Sequence, residues 1–468
     1  MGQFDRCRAD SGKIGAFRRE TGNQLKSLFV LLNNPHFCSM RKVWFFIILI
    51  VLLTEGCKQS AKLATNEVHS SSPARPGAHQ VNTYLPFLIG KRVGIFANQT
   101  SMVGNRHLVD TLRKLGVQIE VIFGPEHGFR GKADAGEKVA NYVDAETGIP
   151  VVSLYGSKRL PDENDLKNVD ILLFDIQDVG TRFYTYISSL EDFMEAAIKF
   201  RKPLVILDRP NPNGHYVDGP VLEAPYKSFV GKQEIPIVYG MTIGEYANYL
   251  VGEKLVAGIS DKYIPVVVDM QLVQAYPRQP HIEVHVIRCV NYNHQTVYDL
   301  PVKPSPNLPN LQSILLYPST CLFEGTVLSE GRGTDKPFQV FGHPSLPNNL
   351  YAFTPSPNEG AKSSKHYGKV CYGWDLSGTV DEVRSEVNNR IQLKWLMEAY
   401  RLFPQKDSFF LLPKNGQMEA SFFNKLAGNN QLWQQIKNGE SETAIRKSWE
   451  PALSAFKKKR KKYLLYSE

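Results

Sequence analysis

From about residue 91 the chain alternates short apolar runs with helix-length amphipathic stretches, and this rhythm limits its possible folds more than any other feature. The runs are RVGIFA (92–97), IEVIF (119–123), PVVSL (150–154), DILLFDI (170–176) and PLVILD (203–208). They lack period-two alternation and are bounded by turn residues, as strands buried on both faces are. Between them lie helical candidates such as NRHLVDTLRKLG (105–116) and TYISSLEDFMEAAIKF (185–200). Strand–helix alternation implies right-handed crossovers and a doubly wound, mainly parallel sheet, a Rossmann-like α/β fold. VVVDM (266–270) and EVHVIR (283–288) extend it. No GxGxxG motif follows the first strand, where Asn98-Gln99-Thr100-Ser101 stands instead, so no dinucleotide and no other cofactor is expected.

After about residue 318 the character changes. Gly and Pro crowd LFEGTVLSEGRGTDKPFQVFGHP (322–344), followed by a strand at KVCYGWDL (369–376) and helical stretches across 391–403 and 429–463. Trp395, Trp433, Trp449 and Phe456 recur there on amphipathic patterns and read as core anchors. The expected organisation is a Rossmann-like domain over 81–318 and a smaller C-terminal α+β domain over 319–468 that completes a cleft.

Upstream, Met40-Arg41-Lys42 precedes eleven apolar residues, Val43 to Leu53, and then Thr54-Glu55-Gly56-Cys57. A basic start, a short apolar core and a small residue before the cut describe an export signal. At about 1.5 Å per residue the run is too short to span a bilayer of about 30 Å. The Gly56-Cys57 junction resembles a lipoprotein box, so 40–57 is expected to be a lipoprotein-type signal with Cys57 as the lipidated residue. The expected location is then the periplasm or the outer membrane of a Gram-negative-type cell. Residues 1–39 read as an extension upstream of the true start, and 58–80, rich in Ser, Ala and Pro, as a flexible tether. The net charge of +9 owes much to the run Lys457, Lys458, Lys459, Arg460, Lys461, Lys462. No interleaved aromatic–basic groove accompanies that run, so it reads as a solvated helix and no nucleic-acid partner is expected. Cys289, Cys321 and Cys371 show no metal spacing and read as buried thiols.

In an open parallel sheet, ligands bind beyond the carboxyl ends of the strands. The five ends are polar together: Asn98-Gln99, Gly124-Pro125-Glu126-His127-Gly128, Tyr155-Gly156, Asp175 through Arg182, and Asp208 through Gly214. Single Asp and Asn residues there also cap helices and close turns. As a set they suit glycoside hydrolysis, which needs a protonated carboxyl group for the leaving oxygen and a second group for the anomeric carbon. Glu126, beside Phe123 and Phe129, is the candidate acid, with His127 adjacent and Asp175, Asp178, Glu137 and Asp208 as candidates for the partner carboxylate. Arg182 and Arg332 are candidates for holding an anionic substrate group, Tyr184 for stacking on a sugar ring, and Asn98, Arg130, Glu137, Asp175, Asp208 and Asn211 for further contacts. The alternatives use the same atoms: a metal-dependent hydrolase with a Glu/His/Asp cluster, or a binding lipoprotein without catalysis.

Ordered motifs sharpen this. GIFANQTS (94–101), FGPEHGFRG (123–131), DIQDVGTRFYTY (175–186), DRPNPNG (208–214), DGPVLE (218–223), GMTIGEYA (240–247), PSPNLP (304–309) and SEGRGTDKPF (329–338) together resemble the exo-β-N-acetylmuramidase (NamZ-type) family. The resemblance covers roughly 81–468. It implies an exo-acting glycosidase that releases N-acetylmuramic acid from the non-reducing end of peptidoglycan fragments, with Glu126 catalytic and Glu223 and Glu330 in the substrate cleft. The lactyl carboxylate of that sugar would give Arg182 or Arg332 a partner. Tyr239 stands where many relatives carry His.

Overall fold

A computed structural model describes residues 72–131, 137, 140–259 and 283–468, with the backbone of 266–269. The expected extension, signal, Cys57 and most of the tether lie outside the described residues. The tether expectation gives way near its end. Arg75 exchanges backbone hydrogen bonds with Val290 at 2.9 and 2.8 Å, and the Gly77 amide donates to the Asp208 carbonyl at 2.7 Å. A Cβ on Gly77 would lie 2.1 Å from the Ile287 carbonyl oxygen, so the residue that looked like linker composition is what lets the chain lie against the strand end.

The central sheet has eight strands: β1 (Arg92–Ala97), β2 (Gln118–Gly124), β3 (Tyr142–Val143), β4 (Pro150–Ser153), β5 (Ile171–Asp175), β6 (Leu204–Leu207), β7 (Val266–Asp269) and β8 (Glu283–Ile287). Their order is β7-β8-β6-β5-β1-β2-β4-β3, with every pairing parallel except that of the edge strand β3 with β4. All seven apolar runs became strands. β1, β2, β4, β5, β6 and β8 each feed two cores, which explains the missing alternation. Val93, Ile95, Leu173 and Val205 face one layer, with α1 (Val81–Leu88) and α2 (Leu108–Lys114). Phe96, Phe123, Phe174 and Ile206 face the other, against α3 (Tyr186–Lys199) and α4 (Ile243–Gly252). Phe96 stacks on Phe174 at 4.8 Å between centroids, and Phe193 of α3 meets Phe96 edge-on at 5.3 Å.

The second core runs on without a break into the C-terminal half. It takes in Leu315 of α5 (Leu311–Thr320), Phe341 and the buried Trp395, Trp449 and Phe456. That half carries a three-stranded antiparallel sheet, β9 (Val340–His343), β11 (Cys371–Asp375) and β10 (Tyr351–Phe353) in spatial order, with helices over Leu393–Leu402, Gln431–Lys437 and Glu442–Arg460. Residues Ser72–Glu468 form one compact unit. Cys289, Cys321 and Cys371 are buried free thiols. Of the basic run, Arg460 is turned inward and donates twice to the Gly240 carbonyl, at 2.9 and 2.7 Å.

The chain passes outward from β1 to β2 and β4, then returns to β5 on the other side of β1. Such a reversal ordinarily leaves a ligand crevice. Here it is filled by an ion pair. Arg209 Nε and Nη2 reach the two Asp175 carboxylate oxygens at 2.6 and 2.9 Å, with side chains 2% and 0% exposed. Asp175→Ala would leave a buried guanidinium without its counter-charge. Urea unfolding is expected to show a loss of about 3–5 kcal/mol, and a loss below about 1 kcal/mol would contradict this role.

Candidate active site

β2 ends at Gly124, and the next seven residues make a tight, well-anchored turn. His127 and Gly128 both take left-handed backbone angles, φ 69° and 75°. For His127 that conformation costs roughly 1–2 kcal/mol. The turn offsets this in three ways. Gly128 N–H donates to the Pro125 carbonyl at 2.9 Å, Phe129 is fully buried, and Arg130 grips Asp144 through two bonds of 3.0 and 2.7 Å. His127 Nε2 meets Ser305 Oγ at 3.2 Å. The turn sets the half-buried Glu126 on the wall of a cavity. Its carboxylate accepts a hydrogen bond from Thr185 Oγ1 at 3.2 Å. The Tyr155 hydroxyl bonds it as well. Burial first, then the neighbouring Glu126 carboxylate, push the Tyr155 phenol well above its ordinary pKa, so that phenol is the donor.

The cavity has a volume of about 620 Å³, within the range that takes a small ligand. Phe183, Tyr184, Thr185 and Tyr186, at the start of α3, form one side. Tyr184 donates to the Pro304 carbonyl at 2.8 Å, which ties this side to the 304–309 loop. The C-terminal half closes the other side with Glu324, Glu330, Arg332, Phe338 and Lys365. Arg332 reaches Glu324 at 2.8 Å and Glu330 at 3.4 Å. Burial pulls its pKa down, but the two carboxylates outweigh that and hold it above its ordinary value. Lys365 bonds Glu330 at 3.1 Å and the carbonyls of Phe323, Thr326 and Leu328 at 2.9–3.0 Å. Lys362, at the rim, pairs with the exposed Glu137 at 3.3 Å. Arg159 stacks on Phe229, with its guanidinium carbon 3.6 Å from the ring centroid and 5.0 Å from that of Tyr155.

Of the residues singled out in the sequence, Glu126, His127, Tyr184, Glu330 and Arg332 line this cavity together. Others sit behind it in structural bonds. Arg182 is buried and donates to the carbonyls of Pro220, Ile235 and Leu426 at 3.0, 2.8 and 2.7 Å, and burial pulls its pKa down to about 9. Asp208 accepts from Thr242 and Tyr466 side chains and from the Gly244 amide at the start of α4, with burial pushing it up to about 6. Asn98 braces Tyr186 at 2.9 Å and closes its own turn through Thr100. Asn211 donates to the Met241 carbonyl at 2.8 Å. Arg130 is the clamp on Asp144, Asp175 the partner of Arg209, and Glu223 is exposed outside the cavity. Tyr155, Arg159, Phe229, Glu324 and Lys365 went unread. Tyr155 had a signal in its place at a strand end. The others had none, since only folding brings their distant segments together.

The family described as Exo-beta-N-acetylmuramidase NamZ, N-terminal, matches residues 93–312, and its C-terminal counterpart matches 315–466. The Peptidoglycan beta-N-acetylmuramidase NamZ of Bacillus subtilis (strain 168) is 36% identical over 452 residues, which cover 91% of this chain and all of that protein. A crystal structure of a DUF1343 family protein from Bacteroides fragilis NCTC 9343 superposes with a TM-score of 0.72 at 43% identity, covering 85% of this chain and all of that one. A second DUF1343 protein from the same strain gives 0.64 at 25% identity, covering 84% and 99%.

Asp178, expected to work beside Glu126, does not line the cavity. Its carboxyl is buried under Tyr239, whose hydroxyl donates to Oδ2, and it accepts from the Gly180 amide at 2.6 Å. Burial pushes its pKa up to about 7, outweighing those hydrogen bonds. The folded protein therefore keeps a proton that the unfolded chain releases near 3.8. The stabilisation from this group is full below about pH 3.8 and is lost as pH rises through about 7. Asp178→Asn keeps an acceptor for Tyr239 but cannot ionise. Its unfolding free energy should decline less between those two pH values than that of the wild type, and an unchanged slope would assign the titration elsewhere.

Proposed function

The chain belongs to the NamZ exo-β-N-acetylmuramidase family, and from that membership we propose that it is a glycosidase that cleaves N-acetylmuramic acid from the non-reducing end of peptidoglycan fragments, with Glu126 as general acid. One observation carries the role of Glu126. It is the carboxylate that the β2 turn holds on the cavity wall between two hydroxyl donors, Thr185 and Tyr155, with aromatic walls beside it for a sugar face. In the reaction Glu126 delivers a proton to the glycosidic oxygen as the bond to the anomeric carbon breaks. Glu324 and Glu330 are the other carboxylates on the cavity wall among the described residues, and both are paired with Arg332. Among the described residues no three His, Cys, Asp or Glu side chains converge to hold an ion, and the EDTA arm below tests the metal-hydrolase alternative. The test offers a chromogenic β-N-acetylmuramide beside the matching glucosaminide. Turnover of the muramide is expected with or without EDTA, and Glu126→Gln should lower kcat by about 10²–10⁴-fold while the melting temperature holds. Near-normal turnover in that variant would remove Glu126 from the acid role. Tight binding of the muramide without turnover would favour the binding-protein reading.

The protein is also proposed to be exported and anchored by a lipid on Cys57. The support is sequence alone: Met40-Arg41-Lys42, the apolar run 43–53 and the Gly56-Cys57 junction. Expression in a Gram-negative host with labelled palmitate should give a labelled, membrane-associated protein, and Cys57→Ser should abolish the label. An equally labelled Cys57→Ser protein would disprove the anchor.

A further inference from the structure

We infer that Arg159 selects the substrate, its guanidinium receiving the carboxylate of the lactyl ether that distinguishes a muramyl from a glucosaminyl residue. The inference rests on the proposed muramidase activity and names the group that reads that sugar.

The cations around the cavity are not equivalent. Arg332 is spent on Glu324 and Glu330, Lys365 on Glu330 and a ring of carbonyls, and Lys362 on Glu137. Arg159 has no hydrogen-bond or ion-pair partner among the described residues, and its Nη1 is shut off from solvent without one. A donor nitrogen shut off from water without a partner carries a cost that a bound anion would relieve. Its setting fits a bound anion. Phe229 lies over the guanidinium at 3.6 Å and the Tyr155 ring flanks it at 5.0 Å, so two rings hold it in place and its remaining donors are the route of approach. A planar fork held in place suits a carboxylate, which it can engage through two parallel bonds.

Position completes the argument. The Tyr155 ring lies against Arg159 and its hydroxyl bonds Glu126, so one tyrosine side chain separates the anion site from the acid. In a muramyl residue the lactyl ether and the glycosidic carbon belong to one sugar ring. A single ring set between them would place its carboxylate at Arg159 and its glycosidic oxygen at Glu126. A glucosaminyl residue, lacking the lactyl group, would leave the guanidinium without a partner.

The experiment compares kcat/KM for a chromogenic β-N-acetylmuramide and its lactyl methylamide, in which the sugar is intact and the negative charge is gone. The wild type should prefer the carboxylate by about 10- to 100-fold, the value of charge-assisted hydrogen bonds. In Arg159→Met the preference should collapse to within about three-fold, and Arg159→Lys, with the charge but not the fork, should recover part of it. A preference that survives in Arg159→Met overturns the inference, as does a wild type indifferent to the amide. If the wild type turns over neither compound, the activity reading fails on its own. Calorimetry with free N-acetylmuramic acid against N-acetylglucosamine then decides Arg159: selective binding lost in Arg159→Met upholds it, and selectivity retained refutes it.

Discussion

The buried pair Asp175–Arg209 decides where this protein can take a ligand. A doubly wound sheet opens between the strands where its crossovers diverge, which here are β1 and β5. Desolvating two charges there costs several kcal/mol, recovered only through good geometry and full hydrogen bonding. Arg209 meets both oxygens of Asp175 and also reaches the Met102 carbonyl at 3.3 Å, so the crevice is occupied by protein. The open volume lies instead beside the ends of β2 and β4 and the start of α3. There the sheet alone supplies one wall. The 324–338 arm and the 360–365 loop of the C-terminal half supply the other, which is why the two halves share a core.

The strands were legible because burial on both faces demands apolar residues at every position, and that demand is local. The polar strand ends were legible for the same reason, but their roles were not. Glu126 and Asp175 occupy comparable places after parallel strands. Sequence records that both are acidic; it does not record that the left-handed turn at His127 and Gly128 carries one to a cavity while β5 carries the other inward. Asp178, Arg182, Asp208 and Asn211 are polar because a buried loop must satisfy its own carbonyls and amides. Function and satisfaction of the backbone select the same residue types at a strand end, and only the direction of the side chain separates them.

What stayed hidden is long-range. Arg159 follows no periodicity and sits in no recognisable motif, and its environment comes from Phe229, seventy residues on. Glu324, Glu330, Arg332 and Lys365 form a closed electrostatic group whose members look independent along the chain. Arg332 was read as a substrate ligand. It does line the cavity, and its two carboxylate partners, Glu324 and Glu330, tie it into the wall there.

The charge pattern of the cavity has a chemical logic once these pairs are set aside. Tyr155 touches both Glu126 and Arg159. That tyrosine lets both groups share one small site. It offers its ring face to the cation and its hydroxyl to the carboxylate. Because the phenol is neutral it adds no charge of its own, and the positive end of the site stays available to an anionic sugar. The spacing of acid and cation by one aromatic side chain then fits the proposed substrate, a sugar whose negative group and glycosidic oxygen belong to one ring.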